Sequence, residues 1–186
     1  MRRAALLGLV TVSVAACAGF GDSVVYPPNL TKYRSGIAEW AGSNGELLAE
    51  IRGAPFGTGV TPEAVAKAVP VPDWVARRMT VTPSPATPRD YRVVLNFGPA
   101  FPGDSGDAVC AGAAPQPAHV AAPGQRMPVA ATYCIFNEAM TSVRGVGPVA
   151  ASPDDRGFQQ FMYVMLAQLI PIRDPSVGGF CNDPSC

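Results

Sequence analysis

The proline and glycine content constrains this fold more than any other feature of the sequence. The 186-residue chain contains 20 prolines and 19 glycines. Proline lacks a backbone donor and glycine is entropically costly to order, so both interrupt helices and strands. We therefore expect short elements joined by many turns and long loops. The chain is still long enough to form one domain with a substantial hydrophobic core.

The charge pattern argues against a nucleic-acid partner. Lysine and arginine together number 14, as do aspartate and glutamate. Charged residues make up 15% of the chain, whereas typical globular proteins contain about 25%. The sequence contains no basic run of the kind that binds a phosphate backbone.

Two segments near residue 43 have the pattern of a β-hairpin. Tyr33–Ala41 and Glu46–Arg52 flank the turn-forming sequence GSNG at residues 42–45. Asn-Gly between apolar runs is a strong hairpin signal because both residues tolerate a positive φ. We therefore expect two paired strands here.

Helices are predicted from their N-terminal signals. Thr61 is placed to cap a helix in which Pro62 takes the first position and Glu63 meets the positive end of the dipole. A short helix is expected at Asp73–Met79. Ser152 is the expected cap of the longest helix, which the proline at 171 ends. Apolar residues of that helix share one face: Phe158, Phe161, Met162, Met165, Leu166 and Leu169.

Four further strands are predicted from residue alternation: Arg89–Phe97, Ala108–Ala113, Val129–Asn137 and Ala139–Val146. Together with the hairpin and the helices, they give an α+β fold. The expected architecture is a small antiparallel sheet with two or three helices packed on one side, stapled by disulfides.

The N-terminus has the layout of a secretory signal. Arg2 and Arg3 precede an apolar stretch at residues 4–16, which is shorter than the roughly 20 residues of a membrane-spanning helix. The small residues at its end, Val14-Ala15-Ala16-Cys17, resemble the lipobox of bacterial lipoprotein precursors. The alternative is an ordinary export signal ending A-x-A, in which Cys17 has no special role.

The lipobox resemblance implies cleavage between Ala16 and Cys17, a diacylglycerol on the Cys17 sulfur and an acylated new N-terminus. It thereby implies membrane anchoring. Ala18, which follows the lipidated cysteine, favours the periplasmic face of the outer membrane over the inner membrane. Residues 1–16 are then the signal peptide, residues 17–30 the lipidated cysteine and its tether, and residues 31–186 a single α+β domain.

The cysteine count agrees with this interpretation. An odd number of cysteines in an exported protein leaves one thiol to explain. Lipidation of Cys17 leaves four, Cys110, Cys134, Cys181 and Cys186, which suffice for two disulfides in an oxidising compartment. We favour Cys110–Cys134 with Cys181–Cys186, and the two crossed pairings stay open.

The sequence matches motifs of catalytic and metal-binding sites only weakly. Residues 103–106, GDSG, are similar to the segment around the nucleophile of chymotrypsin-like proteases. The sole histidine, His119, follows Ser105, however, whereas those proteases place it first. Asp104 with Asp107 lacks the spacing of a calcium loop, and the acids at 154–155 suit a helix start. We predict no catalytic residue, no metal site and no cofactor.

The expected function therefore rests on the predicted location of the protein in the cell envelope. We expect a non-enzymatic, membrane-anchored envelope lipoprotein that binds an envelope protein partner or supports assembly. One alternative is a carrier of an apolar ligand or lipid, with its cavity beneath the Phe158–Leu169 helix. The other alternative is a hydrolase that uses Ser105 and His119.

Overall fold

The computed structural model describes residues 23–30, 32–87, 89–98, 106–112 and 126–173. Helices and strands alternate irregularly along this part of the chain. The elements are β1 (Val24–Val25), α1 (Ser35–Ala41), β2 (Glu46–Arg52), α2 (Pro62–Ala68), β3 (Arg78–Thr80), β4 (Tyr91–Phe97), α3 (Gly106–Cys110), β5 (Met127–Ile135), β6 (Glu138–Gly147) and α4 (Arg156–Leu169).

The strands form one six-stranded sheet in the order β1-β6-β5-β4-β2-β3. β1, β6, β5 and β4 pair antiparallel, whereas β2 runs parallel to both β4 and β3. The predicted α+β class is confirmed. The small antiparallel sheet is wrong, because β2 and β3 add a parallel half and make the sheet larger.

The main core lies where α4 packs on the sheet. The predicted apolar face of α4 is buried along its whole length. Two glycines of β6 allow the close approach: a Cβ on Gly145 would lie 2.8 Å from Met165 Sδ, and one on Gly147 would lie 2.8 Å from the Phe161 ring. Interiors pack densely enough that even a methyl group would push the helix away.

Three side chains from distant segments satisfy carbonyls at the end of α4. Thr141 Oγ1 donates to Leu169 O at 2.6 Å, Trp74 Nε1 to Ile170 O at 2.9 Å, and the Tyr33 hydroxyl to Pro171 O at 2.6 Å. The last carbonyls of a helix have no partner within the helix, so these bonds replace water. The end of α4 is thereby fixed to the sheet and to two flanking segments.

α3 packs on the opposite face of the sheet. The predicted Cys110–Cys134 disulfide is confirmed, with an S–S distance of 2.00 Å. Val94 joins the two cysteines in a small cluster of its own, since alternate residues of a strand point to opposite faces. α3 therefore does not join the two or three helices that were expected to pack on one side of the sheet. Cys181 and Cys186 lie outside the described residues.

Three local predictions are wrong. Residues 35–41 form α1 instead of a hairpin strand. Gly45 O accepts from the Arg77 and Arg78 N–H groups, so β2 pairs with β3 and not with the segment that precedes the turn. Most of the segment predicted as the Asp73–Met79 helix is a turn that leads into β3. Of the segment predicted as the Ala108–Ala113 strand, residues 108–110 are the end of α3 and residues 111–112 are a turn, so the disulfide joins a helix to a strand.

Other local predictions are confirmed or refined. Thr61 caps α2, with its side chain accepting from Ala64 N–H, and Pro62 occupies the first turn. The strands predicted around residues 93, 132 and 143 are present. α4 is capped by Asp155 instead of Ser152, since the Asp155 carboxylate accepts from two backbone N–H groups of the first turn. Ser152 belongs to the preceding turn.

The chain joins the sheet early. Val24–Val25, within the stretch expected to be tether, pairs with β6. Cys17 and the signal-like segment lie outside the described residues. In the part of the chain that the structure describes, no helix is both long and apolar enough to cross a bilayer.

Candidate functional site

The residues weighed for chemistry are not brought together in the described structure. Asp104, Ser105 and His119 lie outside the described residues. Asp107 accepts from Ala139 N–H at 2.8 Å and lies 3.9 Å from Lys32 Nζ, so it ties α3 to β6. Within the described ranges, no group of three or more histidine, cysteine or acidic residues is arranged to hold a metal ion.

An exposed cluster of aromatic side chains is the most distinctive surface feature. We call Trp40, Tyr91 and Phe136 the aromatic patch. Trp40 on α1 and Tyr91 at the start of β4 meet edge to face, with ring centroids 5.0 Å apart. Phe136, in the turn between β5 and β6, lies 6.4 Å from Tyr91. Trp40 is 56% exposed and Phe136 is 59% exposed, so the rings face solvent.

Phe136 has a strained backbone. Its φ is 51°. Among the non-glycine residues that the structure describes, Phe136 is the one with a positive φ. A bulky side chain in this region is an outlier that costs roughly 1–3 kcal/mol. Two hydrogen bonds hold it: its N–H donates to Asp90 O at 2.7 Å, and Arg92 Nη1 donates to its carbonyl at 2.9 Å.

The rim of the patch is acidic. Each ring has a carboxylate within two residues in the sequence, namely Glu39, Asp90 and Glu138. All three of these acidic residues are exposed. Glu138 is paired with Lys32 at 3.2 Å. The surface thus presents exposed aromatic rings with exposed carboxylates next to them in the sequence, while Arg92 contacts the Phe136 carbonyl.

The patch and the N-terminal strand lie at opposite ends of the sheet. Tyr91 pairs with Ile135 next to the β5–β6 turn, whereas Val24 pairs with Val146 near the far end of β6. From residue 138 to residue 146 the strand extends about 27 Å, at about 3.4 Å per residue. The chain segment that leads back to Cys17 therefore enters far from the aromatic rings.

The α4 helix offers little for an apolar ligand. Its six face residues, from Phe158 to Leu169, are each at most 3% exposed, and they fill the core. A cavity of about 520 Å³ lies instead at the edge of β2, open to solvent and lined partly by Leu48, Ile51 and Arg89. This cavity is thus remote from the space beneath α4 in which a carrier of an apolar ligand was expected to bind it.

Glu46 is a buried carboxylate whose partners neutralise it. It accepts from the Arg78 guanidinium, from the Thr87 hydroxyl and from Ser84 N–H at 3.3 Å. These bonds, that to Arg78 foremost, lower the pKa of Glu46 to about 2, because each favours the charged form. This acid fastens the segment at 81–87 to β2 and has no feature of a general acid.

Tyr133 is a second buried residue that has no feature of a catalytic group. Its hydroxyl has no hydrogen-bond partner among the described residues, and burial raises its pKa above the ordinary value. A tyrosine that holds its proton this firmly is a packing residue of the core.

The sequence pattern does not reveal the aromatic patch, for two reasons. It assigns Trp40 to a strand, and it places Phe136 inside the strand that ends at Asn137. One signal is nevertheless present: a two-residue β-hairpin turn normally has Gly, Asn or Asp at positions of positive φ. A phenylalanine at such a turn is anomalous and marks the position for inspection.

The fold and the aromatic patch establish only the structural class of the protein. The protein is an α+β protein with a mixed sheet, an internal disulfide and an exposed aromatic surface. The chain matches no protein-family model, no curated protein and no solved structure.

Proposed function

We propose that the protein is a non-enzymatic lipoprotein of the cell envelope, anchored through Cys17, that binds a protein partner through the aromatic patch. The observation that carries the proposal is the strained and exposed Phe136, which packs near Tyr91 as the exposed Trp40 does. A folded chain gains no stability from such a residue, so a role outside the fold accounts for it. Aromatic residues of this kind dominate binding energy at protein interfaces.

The position of the patch favours a partner over the membrane itself. Val24 is the seventh residue after Cys17, and a fully extended chain over those seven steps reaches about 24 Å. The β1 end of the sheet is then held near the lipid surface. The patch lies at the other end of the sheet, so it points away from the membrane that holds the anchor.

The surroundings of the patch indicate the chemistry of the partner. The exposed carboxylates of Glu39 and Asp90, which form no ion pair with a described residue, are complementary to a basic surface, whereas Glu138 is already paired with Lys32. A fitting partner has an apolar pocket that takes the Trp40 and Phe136 rings and basic residues around that pocket. Neither a carrier nor a hydrolase gives these exposed rings a role.

Substitutions in the patch test the proposal. We expect Trp40→Ala to reduce partner recovery at least about tenfold in cross-linked, detergent-solubilised host membranes, because truncation of an aromatic anchor typically removes 2 kcal/mol or more, about 30-fold in affinity. Quantitative mass spectrometry of the captured proteins is the measurement. Tyr163→Ala is the matched control, since Tyr163 is an exposed aromatic residue, 40% exposed, on α4.

Phe136→Gly gives a second, opposite readout. Glycine relieves the strain of the positive φ, roughly 1–3 kcal/mol, but it adds freedom to the unfolded chain that costs about 0.4–1 kcal/mol. We therefore expect this variant to be more stable than the wild type by roughly 0.5–1 kcal/mol in urea unfolding. We expect it to lose partner binding at the same time. If the same proteins are captured with the wild type, Trp40→Ala and Phe136→Gly, the patch is not a binding site.

The anchor is tested separately. We expect Cys17→Ser to abolish incorporation of labelled fatty acid and to move the protein from the membrane pellet to the soluble fraction, because only a thiol at this position can carry the diacylglycerol. Fractionation followed by immunoblotting measures this. Unchanged retention of the Cys17→Ser variant in the membrane would contradict the anchor, whereas the patch test would still stand.

A further inference from the structure

A gap in the sheet lies beside β2. We call the cavity there the β2-edge groove; it measures about 520 Å³ and opens to solvent. β3 pairs with β2 only over residues 46–48 and ends at Thr80. The chain then turns away through Val81, Thr82 and Pro83, which form one wall of the groove. The outer edge of β2 beyond Leu48 therefore has no neighbouring strand in the described part of the chain.

The hydrogen-bond pattern shows which backbone groups face the groove. Arg78 N–H donates to Gly45 O at 3.2 Å, so the odd-numbered residues of β2 direct their backbone groups towards the β3 side. In a parallel ladder the alternate residues bond to the other neighbour. Glu50 therefore bonds to β4, whereas the N–H and C=O of Ile51 point into the gap.

By this alternation Ile51 makes no backbone bond to β4, and outside the strand ladders no bond to its backbone is found within the described chain. Protein chains usually protect such an edge, because a row of free N–H and C=O groups is a template for another strand. Here the edge is framed by apolar side chains. Leu48, Val81, Pro83 and Pro62 line the groove alongside Ile51.

The mouth of the groove is positively charged. Arg89 and Arg92 line it, together with Glu50. The Glu50 carboxylate is already shared by Arg52 at 2.7 Å and Arg92 at 3.4 Å. Arg89 is exposed and makes no ion pair with any described residue. An incoming carboxylate would therefore find an arginine available.

The wall of the groove is held in place before anything binds. Ser84 and Thr87, at the end of the segment that forms this wall, are bonded to the buried Glu46 carboxylate. Asn44 also donates to Thr87 Oγ1 at 3.0 Å. A site that is already ordered loses less conformational entropy on binding than a mobile one.

We propose that the β2-edge groove binds an extended peptide segment of a protein partner as an added strand, with an acidic side chain of that segment on Arg89. The segment continues the line of β3. It accepts from Ile51 N–H and donates to the carbonyls of Ile51 and Ala49, while its apolar side chains fill the groove. This site differs from the aromatic patch, which it borders at Arg92, and it does not depend on the lipid anchor.

The free protein gives the first test. By amide hydrogen exchange monitored by NMR, we expect Ile51 N–H to exchange at least about tenfold faster than Glu50 N–H, which bonds to β4. Equal protection of the two amides would show that another part of the chain already covers the edge, and the proposal would be overturned.

Peptide probes give the second test. Two pools of N-acetylated, C-amidated heptapeptides carry Val, Ile or Thr at alternate positions and either Glu or Lys at the centre. We expect the Glu pool to bind about tenfold more tightly than the Lys pool in fluorescence polarisation, and to slow exchange at Ile51. Arg89→Glu should remove or reverse this preference.

Three controls separate strand addition from other effects. N-methylation of alternate peptide amides should abolish binding, because it removes the pairing donors. Ile51→Pro should abolish binding yet keep the fold, whereas Glu50→Pro should unfold the protein by breaking the ladder to β4. Trp40→Ala should leave peptide binding unchanged.

Any of three results would overturn the proposal. Neither pool binds at about 1 mM, the preference for Glu survives Arg89→Glu, or the N-methylated peptides bind. None of these results bears on the aromatic patch.

Discussion

Replacing both Cys110 and Cys134 with alanine is expected to lower the free energy of unfolding by about 3.5 kcal/mol, according to the chain-entropy model for a loop of this length. The two cysteines are 24 residues apart and fully buried. The bridge restricts the unfolded chain, and in the folded state it holds α3 against the sheet. Urea unfolding of the variant and of the wild type, with and without reductant, measures the loss.

The loss should be greatest at α3. Arg92 Nη2 donates to Cys110 O at 2.5 Å, and Arg52 Nη2 donates to Val109 O at 3.0 Å. These two bonds and the bond from Ala139 N–H to Asp107 connect a five-residue helix weakly, so amides of α3 should exchange faster in the double variant. Reduced wild type should match the variant. An unchanged urea midpoint in both would contradict a stabilising role for the bridge.

Glu46→Gln is expected to destabilise the fold by roughly 2 kcal/mol at neutral pH, since hydrogen bonds to a charged group contribute about 1.5–3 kcal/mol. The variant keeps the volume of the side chain but loses the charge that Arg78 and Thr87 stabilise. Thermal or urea unfolding at pH 7 is the measurement. Glu39→Gln, at an exposed position on α1, is the matched control and should change little.

The pH dependence of Glu46 follows from the direction of its pKa shift. Its pKa is about 2 in the folded protein and about 4.5 as a free side chain, so folding favours the charged form. This contribution is complete above about pH 4.5 and is lost as the pH falls towards 2. The wild type should therefore lose its advantage over Glu46→Gln across that window. A constant difference between the two proteins from pH 7 to pH 2 would contradict this origin.

Structure that depends on local signals was predictable from the sequence. α2 follows from its Thr61 cap and its proline, and α4 follows from an apolar face of helical spacing. Counting cysteines, with Cys17 set aside, predicted two bridges and left three possible pairings, of which the favoured one contained Cys110–Cys134. Such signals act within one or two turns of chain, so they need no knowledge of the rest of the fold.

Structure that depends on distant pairing was not predictable. β2 pairs in parallel with two strands that come later in the chain, and parallel pairing leaves no turn sequence between neighbours. The Asn44-Gly45 signal marks a real turn, yet this turn connects α1 to β2 instead of two paired strands. The aromatic patch combines residues from α1, β4 and a hairpin turn, so only the folded sheet brings its members together.

The position of β1 has a consequence for the order in which the fold is completed. Val24 pairs with Val146, so more than a hundred residues must be present before the first strand has a partner. Contacts this distant in sequence form late, because the loop between them must close first. The edge strand at the start of the described chain is thus the last part of the sheet to be completed, and its two residues make it the first part to detach when the protein is stressed.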